Sequence, residues 1–225
     1  MSATRQGPAQ PRRRYDGSRR EAQARETQRQ VLRAAHDLFV ERGYGATTIA
    51  DIAEAAGVSV PTVYAGFGTK ADLLRRAIEV AMAGDDDPIP VADRPTHQWV
   101  VATDDGLEML RRYAVACGAM VDRIGRIYGV LTGAADADPV LAELVARFDE
   151  QRLNAATAMA AGLRDRGALH DGVELEDARD VVWMANSLEL YSLTLKRGWP
   201  TERYVAFVRA FLLQLVPRAG EAPPA

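Results

Sequence analysis

Residues 47–74 read TTIADIAEAAGVSVPTVYAGFGTKADLL, and their punctuation divides them into three short helices. Thr48 with Asp51 three residues later has capping-box spacing. The hydroxyl can take an orphan N–H of the first turn while the acid reaches back to the cap's own N–H. Ile49, Ile52, Ala53 and Ala56 follow at helical intervals, and Gly57 is the residue type at which helices stop. Ser59 caps the next segment, and Pro61 falls in its first turn, where a missing N–H costs nothing. Val58 and Val63 stand at the two positions of a hydrophobic staple. Thr69 with Asp72 repeats the capping box ahead of Leu73, Leu74, Ala77 and Ile78. The order is helix, the turn Gly57-Val58-Ser59, helix, then a longer helix.

Upstream, Ser18 and Glu21 have the same box spacing, and Val31, Ala35, Leu38 and Phe39 recur at helical intervals until Gly43. Residues 1–17, rich in Arg, Gln, Pro and Gly, read as a disordered basic arm that serves solubility or rests on phosphates. Downstream, Gly84, the triplet Asp85 to Asp87, and Pro88, Pro90 and Pro95 mark a boundary. Beyond it the pattern is helical, without strand alternation. Helices are expected over 95–102, 104–132 with Gly118 or Gly125 as interruptions, 138–167, 174–197 and 200–217. The chain thus divides into the arm (1–17), a helix-turn-helix domain (18–84), a larger helical domain (85–217) and a flexible tail (218–225).

The 225 residues are 48% hydrophobic and 26% charged, a composition that excludes fibrous and disordered chains. The formal net charge is −3, which at first sight argues against a polyanion partner. Residues 1–80, however, carry 13 Lys or Arg against 9 Asp or Glu, a net of +4, and residues 81–225 carry 15 against 22, a net of −7. Such asymmetry points to a nucleic-acid or membrane contact confined to the basic part. The longest uncharged run, Ala55 to Thr69, is 15 residues and holds Pro61 and three glycines. A spanning helix needs roughly 20 apolar residues, so no membrane partner is expected. No apolar stretch follows the Arg-rich start as a secretion signal requires. One cysteine, Cys117, permits no intrachain disulfide and suits a reducing cytoplasm.

Two short helices joined by a glycine turn can be a packing corner or a DNA-binding helix-turn-helix, whose second helix enters the major groove. The exposed side of residues 58–64 offers Val60, Pro61, Thr62 and Tyr64, with no charge of either sign. A solvent-facing turn ordinarily carries Lys, Glu or Arg, so this surface suits a covering partner. Thr62 can meet a base edge or thymine methyl. Lys70 opens the fourth helix, where the macrodipole disfavours a cation and a docked phosphate would favour one. Arg25, Arg29, Arg33, Arg42 and Lys70 rim the uncharged run, with hydroxyls at Thr48 and Ser59.

Thr47-Thr48-Ile49-Ala50-Asp51-Ile52-Ala53, Ala56-Gly57-Val58-Ser59, Thr62-Val63-Tyr64, Phe67 and Lys70-Ala71-Asp72-Leu73-Leu74 closely resemble the DNA-binding signature of the tetracycline-repressor (TetR) family. The resemblance covers about residues 25–80. It implies an all-α homodimer with an N-terminal three-helix helix-turn-helix domain and a C-terminal helical domain for effector binding and dimerisation. The implied partners are a palindromic double-stranded DNA operator, a second copy of the chain and a small-molecule effector of unknown identity. The implied function is that of a ligand-responsive regulator, a repressor released by its effector. Carried over by position, the DNA-binding set is Thr47, Thr48, Ser59, Val60, Pro61, Thr62, Tyr64 and Lys70. Thr48 and Tyr64 stand as phosphate binders, Lys70 as the phosphate clamp, and Val60, Pro61 and Thr62 as the groove-facing group; Phe67 and Ile52 stand as core. Pro61 replaces a frequent glycine and Ala65 a frequent histidine, so base preference does not transfer.

In the C-terminal half, residues 183–191, 196–200, Tyr204, Phe207 and Phe211 resemble the last two helices of one TetR subgroup. Val205, Val208, Leu212, Leu215 and Val216 form either a dimer seam or an internal face. The effector-pocket candidates are Tyr113, Cys117, Met120, Ile124, Tyr128, Trp183, Met184 and Asn186. Asn186 and Arg123 would need polar partners if buried. No cofactor is implied. His36, His97 and His170 are far apart and lack metal-ligand spacing, Asp85 to Asp87 lacks the glycine and glutamate of a calcium loop, and Cys117 lies in an apolar stretch. A second reading is an all-helical small-molecule-binding protein or enzyme whose N-terminal domain only packs.

Overall fold

A computed structural model describes residues 15–84, 89 and 93–217, with side chains from residue 19 onward. Those residues form ten α-helices and no strand. They are α1 (Tyr15–Ala46), α2 (Ile49–Ala55), α3 (Val60–Phe67), α4 (Lys70–Ala83), α5 (Pro95–Val101), α6 (Gly106–Ala135), α7 (Pro139–Asp165), α8 (Leu175–Ala185), α9 (Leu188–Lys196) and α10 (Thr201–Leu212), the last followed by a 3-10 turn.

Helix α1 is already formed at Tyr15, so Ser18 lies inside it and is not its N-cap. The rest of the expected arm, the segment 85–88, and the expected tail lie outside the described residues. Gly43 (φ 79°) breaks the regular helix where expected. Both capping boxes form. Thr48 accepts from the Asp51 N–H at 3.1 Å and Thr69 from the Asp72 N–H at 3.1 Å, while each carboxylate accepts from its threonine's N–H and hydroxyl.

These bonds favour the ionised acids, so the threonine partners hold Asp51 and Asp72 below their ordinary carboxylate values. A depressed folded-state pKa contributes stability that is fully present above the unfolded value of about 4 and is lost as pH falls through and below it. The melting temperature should therefore hold from neutral pH to about 5 and then fall. An Asp51→Asn, Asp72→Asn double variant, melted across the same range by circular dichroism, should be less stable at neutral pH and show a shallower acid decline.

The head packs Val31, Ala35 and Phe39 of α1 around Ile52, Val63, Leu73, Leu74 and Ile78, and this core continues into the body. Helices α1 and α4 both rest on α6, and α6 lies against α5, α7, α9 and α10. Helix α4 has no basic residue in its last turn. Instead Arg123 of α6 donates to the carbonyls of Ala81 and Met82 at 3.0 and 3.2 Å, and Arg94 to that of Ala83 at 3.1 Å. Cations at a helix C-terminus satisfy orphan carbonyls and oppose the dipole.

Two expectations about the body change, and one of two open alternatives is met. Helix α6 runs through Gly118 and Gly125 uninterrupted, because each glycine admits a neighbour: a Cβ there would collide with Val205 and with the Tyr191 ring respectively. The helix expected over 174–197 is broken at Asn186 and Ser187, since Ser187 accepts from the Leu190 N–H at 3.1 Å and starts α9. Finally, of the five residues read as a dimer seam or an internal face, Val208, Leu212, Leu215 and Val216 are buried within the protomer and Val205 is half-buried, which is the internal alternative. The exposed large apolar residues of α8 to α10 are Met184, Leu193 and Phe207. Trp199, Phe207 and Phe211 form a row of rings with centroids 6.0 and 6.3 Å apart.

Candidate functional site

Helix α3 is fixed at both ends by local chemistry. At the turn, Gly57 takes φ 67°, the Val58 N–H donates to the Ala53 carbonyl at 2.9 Å and the Gly57 N–H to that of Glu54 at 3.1 Å. This closes α2 in a left-handed conformation that suits glycine. The Ser59 hydroxyl accepts from the Thr62 N–H at 3.3 Å and lies 2.8 Å from the Thr62 hydroxyl. Gly68 (φ 78°) closes the other end, its N–H donating to the Tyr64 carbonyl at 2.9 Å.

One side of α3 is anchored by Val63, fully buried, with Val60 and Phe67 half-buried against the same core. The other side presents Pro61, Thr62, Tyr64, Ala65 and Gly66 to solvent, and Tyr64 is 54% exposed. Val60, expected on the groove-facing side, is thus largely a packing residue. Ala65 and Gly66 join the exposed set, and their helical spacing to Pro61 and Thr62 was the available signal. The N-terminal half of α1 runs beside this face, where Arg20, Gln23, Thr27 and Gln28 border a groove with Thr62, Gly66 and Phe67. A basic and amide-bearing edge thus lies along an uncharged convex helix, the arrangement that base contacts and flanking phosphate contacts require.

Two members of the expected DNA-binding set are used elsewhere. Thr47 is 0% exposed, and its hydroxyl donates to the carbonyls of Leu38 and Gly43, 3.1 and 2.8 Å away. It ties the end of α1 to the start of α2. The Lys70 ammonium also turns inward, donating to the carbonyls of Tyr44 and Thr47 at 2.8 and 3.0 Å and lying 4.2 Å from the Tyr44 ring centroid. It therefore pins α4 to the α1–α2 turn, and what the α4 N-terminus offers a phosphate is its orphan backbone N–H groups. Thr48 and Ser59 are exposed caps, as expected.

In the body, several effector-pocket candidates converge on a residue that sequence reasoning missed, Arg152 of α7. It is 7% exposed. It donates to the Asn186 side-chain oxygen at 3.3 Å, the Trp183 carbonyl at 3.2 Å and the Asp149 carboxylate at 2.7 Å, with the Glu189 carboxylate 3.6 Å away. Its guanidinium lies 5.2 Å from the Trp183 ring centroid. Asn186, itself buried, donates to the Tyr113 hydroxyl at 2.6 Å. Tyr128 sits among the charges of Arg152, Asp149 and Glu189; burial, then the two acids, pushes its hydroxyl up to about 12 against the opposing pull of the adjacent Arg152 guanidinium. That hydroxyl and the Trp183 Nε1 are buried without a hydrogen-bond partner. Burial likewise raises the Cys117 thiol to about 12, which makes it a poor nucleophile. Met120 is half-buried, Ile124 is fully buried core, and Met184 is exposed on the outer side of α8. Arg123 is exposed rather than buried, and its partners are the α4 carbonyls.

Comparison with known proteins agrees with this geometry. The family model described as "Bacterial regulatory proteins, tetR family" matches residues 31–77, from α1 into α4. The uncharacterised HTH-type transcriptional regulator YdeS of Bacillus subtilis is 30% identical over 164 residues, 70% of this chain and 74% of that protein. Among solved structures, NalD, the secondary repressor of the MexAB-OprM multidrug efflux pump in Pseudomonas aeruginosa, superposes with a TM-score of 0.64 at 22% identity, covering 87% of this chain and 98% of that one. The transcriptional regulator FadR from Bacillus subtilis in complex with stearoyl-CoA gives 0.65 at 17% identity, over 83% and 96%. A capped helix-turn-helix head on an all-helical body, with a relative matched along most of its length, assigns this chain to the TetR family of HTH-type transcriptional regulators.

Proposed function

We propose that this chain is a homodimeric cytoplasmic repressor that binds a palindromic operator through α3 and lets go when a small molecule occupies the helical body. The observation that carries the reading is the exposed face of α3: Pro61, Thr62 and Tyr64 project from a doubly capped helix and bear no charge. Residues 18–84 act as the DNA-binding head and 85–217 as the sensing and dimerising body. Thr62 reads the groove, Tyr64, Thr48 and Ser59 touch phosphates, and the aromatic row along α10 supplies the dimer face. Two α3 helices then meet half-sites about 34–36 Å apart, or a multiple of that spacing. Residues 1–80, with their net of +4, face the duplex, and residues 81–225, with their net of −7, stay away from it. The Arg123 bonds to α4 give the body a direct hold on the head, so an effector preferring another α6 position would weaken operator binding and be weakened by it reciprocally. The nearness of a named repressor and an acyl-CoA-bound regulator supports this scheme.

Electrophoretic mobility shifts with the DNA upstream of the protein's own gene, at two salt concentrations, test it. The expected outcome is specific binding that falls steeply with salt and weakens about tenfold or more in Tyr64→Ala. A monomer without salt-dependent affinity would overturn it and favour the all-helical binding protein or enzyme.

A further inference from the structure

Two hydrogen-bonding atoms of the side chains around Arg152 are buried without a partner. Tyr128, 2% exposed, has a hydroxyl that bonds to nothing, and the Trp183 Nε1–H is equally buried and unpartnered. An indole N–H can only donate. The Asn186 side-chain oxygen and the Trp183 carbonyl receive the Arg152 guanidinium and bond to neither of these two groups. Burying donors unpaired costs free energy, so such a cluster wants an acceptor it does not contain.

The charge is arranged differently. The side of Arg152 away from Asn186 is met by Asp149 and Glu189, whose side chains are 42% and 57% exposed. Both can swing into water at little cost, whereas the buried guanidinium cannot be left without an anion. An incoming carboxylate can take their place charge for charge, and its two oxygens offer up to four acceptor positions. A neutral carbonyl would strip the guanidinium of its counter-charge. A cation would be repelled by the buried guanidinium and could not accept from the Trp183 Nε1–H. The walls beside it are aromatic: Tyr128 meets Phe148 edge-on at 6.2 Å, and Trp183 lies under the guanidinium.

We infer that the effector is an organic acid, with its carboxylate on Arg152, Tyr128 and Trp183 in place of Glu189 and Asp149, and its apolar body against the aromatic side chains. This rests on the reading of the body as the sensing domain. Free protein, without DNA, is titrated by calorimetry and thermal shift with cinnamate and octanoate at millimolar concentration, each paired with its amide, cinnamamide and octanamide. At least one acid should bind and raise the melting temperature while its amide does not. Tyr128→Phe removes a hydroxyl that bonds to nothing in the free protein, so it should leave the unliganded melting temperature unchanged or higher and weaken the acid about tenfold. Glu189→Gln, which removes a competing anion, should tighten acid binding. Equal responses to acid and amide, no response to either acid, or undiminished acid binding by Tyr128→Phe would overturn the inference. Operator binding, measured in parallel, separates the two questions. A protein that binds its operator and ignores the acids refutes the ligand class alone, and one that binds no DNA refutes the regulatory reading.

Discussion

Replacing Lys70 with methionine is expected to lower the melting temperature by about 5 °C and weaken operator binding about tenfold, without changing how steeply that binding falls with salt. The ammonium makes two charge-assisted bonds to the carbonyls of Tyr44 and Thr47 and a cation–π contact with Tyr44. Each bond to a charged donor is worth about 1.5–3 kcal/mol, and partial exposure brings the total to about 2–3 kcal/mol. Methionine keeps the apolar stem and leaves both carbonyls without their cation. The α4 N-terminus and the α1–α2 turn then lose their common anchor, and the orphan N–H groups offered to phosphate become less well held. If the ammonium itself neutralised a phosphate, its loss would reduce the salt slope by about one and barely touch thermal stability. Melting and salt-dependent mobility shifts on the same variant therefore decide where Lys70 acts.

Gly125→Ala should cost the body about 2 kcal/mol in spite of a better helix former. A Cβ at Gly125 would overlap the Tyr191 ring. That ring cannot simply retreat, because it meets Tyr204 edge-on at 5.0 Å and its hydroxyl donates to Asp122 at 3.3 Å. Asp122 also accepts from Thr201 at the start of α10, so a displaced Tyr191 disturbs the junction of α6, α9 and α10. Overpacking of this kind costs about 1–3 kcal/mol or more, against a helix-propensity gain of about 1 kcal/mol. Gly129→Ala, four residues along the same helix with nothing within 4 Å of its Cβ, is the control and should be neutral or stabilising. Tyr191→Leu in the Gly125→Ala background should recover part of the loss. Calorimetric melting of the four proteins checks the pattern, and equal effects of the two alanine substitutions would remove the steric explanation.

The head was legible because its signals are local. Thr48 with Asp51, Ser59 with Pro61, Thr69 with Asp72 and the glycines at 43, 57 and 68 fix helix ends through bonds spanning a few residues, and the observed helices follow them. The roles of Thr47 and Lys70 were not legible, since the Lys70 acceptors lie 23 and 26 residues away in sequence. In the body the obstacle was different. Apolar periodicity says that Val208, Leu212 and Leu215 share a face but not whether this chain or a second one covers it. Arg152 did carry a signal. It interrupts the buried stripe Leu144, Phe148, Ala156 at a stripe position, where a cation must find partners. Ser187 after Asn186 was likewise a capping residue hidden inside continuous periodicity.

That interruption between α8 and α9 has a topological use. In an unbroken helix the carbonyls of Trp183 and Ala185 would accept the N–H groups four residues on. Here the Ser187 N–H turns to Met184 instead. The Trp183 carbonyl receives Arg152 from α7, and that of Ala185 lies 3.5 Å from the Tyr204 hydroxyl of α10. Two backbone oxygens released from one helix thus become the points at which two other helices are fastened. A substitution that restored the missing turn, by strengthening α8 locally, would unfasten its neighbours.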